Sequence, residues 1–66
     1  MVTNELKRIR MQQYMMNKKE FAELIQISEQ QYYRYEGTAS LPSLEVALRI
    51  SKSLGKHVND IWKLED

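Results

Sequence analysis

At 66 residues, 42% hydrophobic and 29% charged, the chain is sized for one globular domain, residues 1–66, with a small core made of packed side chains alone. With no Cys and one His it has neither a disulfide nor a thiolate or multi-histidine metal site; no apolar run nears the roughly 20 residues of a membrane span, and Met1–Lys7 lacks the layout of an export signal, so the expectation is a cytoplasmic protein with no membrane contact. The net charge is only +1, but Lys7, Arg8, Arg10, Lys18 and Lys19 face Glu5 alone in the first part of the chain while the remainder leans acidic, which fits a basic face on a near-neutral body.

The apolar residues recur at helical period throughout, and nothing alternates like a strand. The pattern predicts a first helix from Asn4 to about Tyr14, capped by Thr3, with Leu6 and Ile9 inward and the stem of Arg10 along the edge of the core. Met11, Met15 and Met16 at its end read as gap-fillers. Asn17 with Glu20 forms an N-x-x-E capping box that opens a second helix, whose apolar stripe is Phe21, Leu24 and Ile25. Gln26-Ile27 makes a tight turn, and Ser28, with Gln31 three residues on, caps a third helix that faces Tyr32 and Tyr35 inward. Gly37 is the expected C-cap, followed by a loop through Pro42. Ser43 caps a fourth helix, Leu44 to Leu54, with Leu44, Ala47, Leu48, Ile50, Ser51 and Leu54 on its buried side, and Gly55 stops it. A last short helix from Val58 to Leu64 carries Ile61 and Trp62. The expected fold is all-α, a compact five-helix bundle.

The informative stretch is 18–37. Two helices joined by so short a link cannot pack antiparallel over their full length, so they cross steeply and one projects. Bulky Phe21, Ile25, Ile27, Tyr32 and Tyr35 surround small Ala22, which lets the second helix sit back on the third. That is the mechanical requirement of a helix-turn-helix.

Here the chain resembles the phage-repressor-like (Cro/cI, or XRE-type) helix-turn-helix domains. The resemblance is carried by Leu6-Lys7-Arg8-Ile9-Arg10, by Lys19-Glu20-Phe21-Ala22-Glu23-Leu24-Ile25 and by Ile27-Ser28. It continues through Tyr35-Glu36, Leu41-Pro42-Ser43-Leu44-Glu45-Val46-Ala47-Leu48-Arg49-Ile50 and Leu54-Gly55 to Ile61-Trp62. It implies a bundle of the lambda-repressor type whose third helix enters the major groove of duplex DNA. The chain departs from the family pattern in three places. Lys18 stands near the usual Gln, Gln26 stands where the turn usually has Gly, and the loop after Glu36 has no basic residue.

The outward residues of the third helix, Glu29, Gln30, Tyr33 and Arg34, are the candidate base contacts. Gln30 can pair with adenine and Arg34 with guanine in bidentate fashion, Glu29 can accept from a cytosine amino group or simply repel phosphate and disfavour wrong sites, and Tyr33 can touch a thymine methyl or a phosphate. The start of the second helix, with Asn17, Lys18 and Lys19, is the candidate phosphate grip, joined by Ser28 and, as the resemblance implies, by Thr38 and Ser40 of the loop. Tyr32 and Tyr35 fall on the family's buried positions and read as core rather than as a stacking platform; the resemblance likewise implies Glu36 as a buried or semi-buried partner of a first-helix arginine, here Arg10, and His57 reads as a cap or solvated residue. Ile61 and Trp62 are candidates for either the core or a dimer seam. No catalytic arrangement, cofactor site or small-molecule ligand is expected. The reading is a transcriptional regulator, most simply a repressor, that binds double-stranded DNA as a homodimer on a palindromic operator. The alternative is a protein-interaction module, an antirepressor or adaptor, that keeps the fold without specific DNA binding.

Overall fold

The computed structural model describes residues 1–66 and runs β1 (Val2–Asn4), α1 (Leu6–Arg8) continuing into a π-helical stretch (Ile9–Tyr14), α2 (Lys18–Leu24), α3 (Glu29–Glu36), α4 (Leu44–Leu54), α5 (Val58–Ile61) and β2 (Trp62–Leu64). Five helical elements stand in the expected order, but all-α is only approximate, because the two ends of the chain pair as an antiparallel ribbon. Val2 lies opposite Leu64, Thr3 opposite Lys63 and Asn4 opposite Trp62. The ribbon is held beyond its register by Glu65 N–H donating to Met1 O at 2.7 Å and Glu5 N–H to Ile61 O at 2.8 Å. Strands of three residues are too short to show a period of two, so composition alone reads them as helix ends.

The ribbon moves both terminal helix boundaries. Thr3 is not the cap of the first helix; Glu5 holds the cap position without a side-chain cap bond, and Asn4 just before it accepts through Oδ1 from Leu6 N–H at 3.0 Å. The Asn4 Nδ2 also donates to Tyr35 O at 2.8 Å, tying the strand to the end of α3. At the other end the last helix stops at Ile61 rather than Leu64, since Trp62 takes an extended conformation to pair with Asn4. The π winding of Ile9–Tyr14 places Tyr14, not Gln13, in line with Ile9. The Tyr14 ring thereby meets Phe21 at 5.6 Å between centroids, and Phe21 in turn meets Tyr32 edge-on at 5.4 Å. Met11 and Met15 are exposed, so of the three methionines only Met16 packs against the core.

The core comprises Leu6, Ile9, Phe21, Ala22, Ile25, Tyr32, Tyr35, Ile50, Leu54 and Ile61. Tyr32 and Tyr35 are buried as their spacing predicts. Leu24, placed on the stripe of α2, is turned partly out, while its neighbour on that helix, Ala22, is buried. Two further expectations fail on α4: Leu44 and Leu48 are exposed. The buried meridian of α4 runs through Ala47, Ile50, Ser51 and Leu54, and the two leucines fall on its flank, where no neighbouring element reaches them. Helical period gives the width of an apolar stripe, but not how much of that width another element covers.

Caps set the remaining boundaries. Ser28 Oγ accepts from Gln31 N–H at 3.1 Å and Ser43 Oγ from Val46 N–H at 3.2 Å. At α5, Asp60 reaches back to accept from His57 N–H at 3.1 Å, with His57 in the cap position. Gly37 does end α3, but with φ of −81°, and the left-handed conformation falls one residue later on Thr38, at φ 61°. What Gly37 supplies is room: a Cβ there would lie 3.3 Å from Tyr33 O. The turn between α2 and α3 puts Gln26 at φ 63°. A residue with a Cβ costs about 1–2 kcal/mol in that region. Gln26→Gly is therefore expected to stabilise the fold by about 1 kcal/mol, after its own loss of unfolded-state entropy, raising Tm by about 4–8 °C. Thermal melting followed by circular dichroism checks this, and an unchanged or lower Tm would show that Gln26 is not strained.

Candidate nucleic-acid interface

The site is built around α3. Its first turn is fixed by the Ser28 cap, and its inner face by Tyr32 and Tyr35. Glu29 and Tyr33, and likewise Gln30 and Arg34, stand four residues apart, so the four side chains form two adjacent rows on the opposite face. All four are exposed and together they line one open hollow of about 600 Å³. No side-chain hydrogen bond or ion pair within the chain engages Glu29, Gln30 or Arg34. Neither the tail nor another helix covers this face; the tail is taken up by β1.

The start of α2 flanks it. Asn17 Oδ1 accepts from Glu20 N–H at 2.8 Å and Glu20 Oε1 accepts from Asn17 N–H at 3.0 Å, the reciprocal capping box that the sequence predicts. The box has an electrostatic side effect. It spends the Asn17 oxygen and brings a carboxylate to the helix start, leaving the Asn17 amide N–H groups and the two lysines to attract an anion. Lys18 Nζ sits 4.2 Å from the centroid of the Tyr33 ring. This cation–π contact joins a predicted phosphate residue to a predicted base residue, and treating the two helices separately misses it. The ammonium keeps hydrogens free to donate while it lies on the ring.

Ser28 is exposed and its hydroxyl oxygen is used by the cap, which leaves its proton to donate outward. The loop returns several of its groups to the end of α3. Thr38 donates its hydroxyl to Gly37 O at 2.6 Å and its N–H to Tyr35 O at 3.1 Å. Ser40 N–H goes to Arg34 O at 3.3 Å, and Ser40 Oγ is buried with no partner. Thr38 remains exposed, while the Ser40 hydroxyl is enclosed where the loop folds back on the carbonyl end of α3.

Behind α3, Arg10 meets Glu36 as the sequence predicts. Arg10 Nη2 lies 3.3 Å from Glu36 Oε1, with side chains 10% and 8% exposed, and Arg10 Nη1 donates to Met16 O at 3.0 Å. Burial works against the guanidinium charge, but Glu36 and Tyr32 outweigh it and hold the Arg10 pKa above its ordinary value. Burial, with the Glu36 carboxylate beside it, pushes the Tyr32 phenol far above its own ordinary value, against the opposing pull of Arg10. The pair locks the first helical stretch to the last turn of α3 and so helps set the angle at which the outward face is presented.

The helix-turn-helix family model matches residues 6–61, which takes in every helical element. The chain belongs to the Cro/cI-like (XRE-type) helix-turn-helix family. No curated protein matches it. As a helix-turn-helix protein of this family it is a DNA-binding transcription regulator in the broad sense, and the family is one of regulatory rather than catalytic domains. No helix is long and apolar enough to cross a membrane, and no group of three His, Asp or Glu side chains is placed to hold a metal ion. Within the helix-turn-helix, Gln26 occupies the turn in a left-handed conformation, so the fold accepts the strain there rather than adopting another turn.

Proposed function

We propose that residues 1–66 act as one cytoplasmic, sequence-specific DNA-binding unit that represses transcription by occupying an operator. α3 lies in the major groove, where Gln30 and Arg34 read adenine and guanine edges, and Glu29 and Tyr33 shape the choice of neighbouring bases. Lys18 and Lys19, with the Asn17 amide and the Ser28 hydroxyl, hold phosphates beside it. Two copies bind a palindromic site, with recognition helices about one helical turn apart. One observation carries this reading: Glu29, Gln30 and Arg34 on the outer rows of α3 are exposed together around one open hollow, with no hydrogen-bond or ion-pair partner in the chain.

The observation that favours the protein-interaction alternative is the thinness of the phosphate grip, since the loop after α3 has no basic residue and Glu20 sits at the start of α2. Selection of bound duplexes from a random pool decides between the two. Enrichment of a palindromic sequence supports the regulator, and recovery of no sequence would end it. The phosphate assignment has its own check. Lys18→Ala is expected to weaken all duplexes alike and to flatten the slope of log affinity against log salt by about one unit. A loss confined to one base position would instead make Lys18 a base reader.

A further inference from the structure

Lys18 and Lys19 open α2 side by side, yet they are held differently. Lys19 is exposed, whereas Lys18 is half-buried, with its Nζ 4.2 Å from the centroid of the Tyr33 ring. None of the chain's three ion pairs involves Lys18, so a ring and not a carboxylate holds its charge. The ring has a firm base. Tyr33 follows the fully buried Tyr32 and has only two side-chain torsions to settle. The approach of α2 to α3 is fixed as well. Ile27 N–H donates to Ala22 O at 3.0 Å across the turn, and Phe21 meets Tyr32 beneath.

We propose that Tyr33 is a positioning residue for the phosphate grip: its ring face seats the Lys18 ammonium, so that this cation meets a DNA phosphate in register with the base readers of α3. The proposal deepens the duplex-reading function given above and rests on it. A lysine free in solvent gives up the rotamer freedom of its long stem when it takes a phosphate. Lys18 has given up part of that freedom before DNA arrives, which is preorganisation. The contact also strengthens on binding, because a cation over a ring is held weakly in water and more firmly where the duplex excludes water.

The chemistry of the seat matters. The other groups that could hold a lysine at the starts of the two helices are carboxylates, Glu20 and Glu29. Either would fix Lys18 and cancel its charge. An aromatic face attracts the cation and carries no net charge, so the ammonium remains able to displace a counterion from DNA. Glu20 is meanwhile occupied by the Asn17 N–H in the capping box. Both gains are independent of base sequence, since neither involves a base edge. The ring thus serves two surfaces: a face given to Lys18 on every duplex, and an edge and hydroxyl left to the bases.

The test has one arm without DNA and one with it. In the proton NMR spectrum of the free chain, the Lys18 ε-methylene is expected upfield of that of Lys19, from the ring current of Tyr33. Tyr33→Leu is expected to abolish this shift and Tyr33→Phe to keep it. Binding is then measured on the selected duplex and, at low salt, on unrelated duplexes. Tyr33→Leu is expected to weaken both, by roughly fivefold per bound copy, with the salt slope unchanged because the charge remains. Tyr33→Phe is expected to bind unrelated duplexes as the wild type does. In a Lys18→Met background, Tyr33→Leu is expected to cost nothing further on unrelated duplexes. Thermal melting confirms that each variant is folded. An ordinary Lys18 shift in the wild type would overturn the seat and leave the DNA reading intact. So would a Tyr33→Leu loss confined to the selected duplex, or one undiminished beside Lys18→Met, since Tyr33 would then act on DNA by itself. Selection of no duplex, with the upfield shift present, would end the DNA reading and this role of Tyr33 with it.

Discussion

Arg10→Ala is expected to be the most damaging single substitution in the chain, costing about 3–5 kcal/mol and lowering Tm by more than about 12 °C. The guanidinium is nearly buried, pairs with Glu36 and donates to Met16 O. Removing it strands a carboxylate in the low-dielectric space between the first helix and α3. That space is already short of partners, since Arg10 Nε, Glu36 Oε2 and the Tyr32 hydroxyl make no hydrogen bond. The full desolvation cost of Glu36 is then unopposed. The paired change Arg10→Met, Glu36→Leu is expected to recover most of the loss, because two apolar side chains of similar volume need no partners there. Thermal and urea unfolding of the two singles and the double closes the cycle. A Tm within a few degrees of wild type for Arg10→Ala would mean that the pair is effectively solvated and does not lock α3.

Arg34→Ala and Gln30→Ala are expected to cost about 1–3 kcal/mol each in affinity for the selected duplex, roughly 5- to 150-fold, and each to relax preference at one base position while leaving the others. Both side chains are exposed on the outward rows of α3, free of internal partners, so neither substitution removes an interaction that the fold uses. Unfolding midpoints unchanged within about 0.5 kcal/mol would confirm that the loss belongs to binding. Equal weakening on every duplex would instead assign the residue to phosphates and leave base reading to its neighbours.

What could be read in the sequence followed from local chemistry with a fixed offset. Asn17 with Glu20, Ser28 with Gln31, and Ser43 each announce a helix start, because a short polar side chain must accept from an N–H two or three residues on. Phe21, Tyr32 and Tyr35 are identifiable as core from period alone, and with them the outward rows of α3. The Arg10–Glu36 pair spans 26 residues and was still readable, because the family resemblance assigns those two positions to facing helices. What stayed hidden depended on contacts between distant segments. The ribbon of β1 and β2 exists only because the two ends meet, and neither three-residue strand has a pattern of its own. Leu44 and Leu48 look like core from their spacing, and only the absence of a covering element shows otherwise. Thr38 and Ser40 carry the right chemistry for phosphate, but nothing in their local sequence shows that the loop's N–H groups return to the end of α3.

The pairing of the chain's two ends has a practical corollary. The ammonium of Met1 lies 2.9 Å from Glu65 O. A peptide linker of only a few residues would therefore close the backbone into a circle, and the whole unit could be spliced into a surface loop of a host protein without being stretched. Cutting a new opening in the exposed turn at Gln26 would give a permuted chain with the same packing but with the two helices of its DNA-reading motif no longer consecutive, a direct way to ask whether that motif has to be synthesised in one piece.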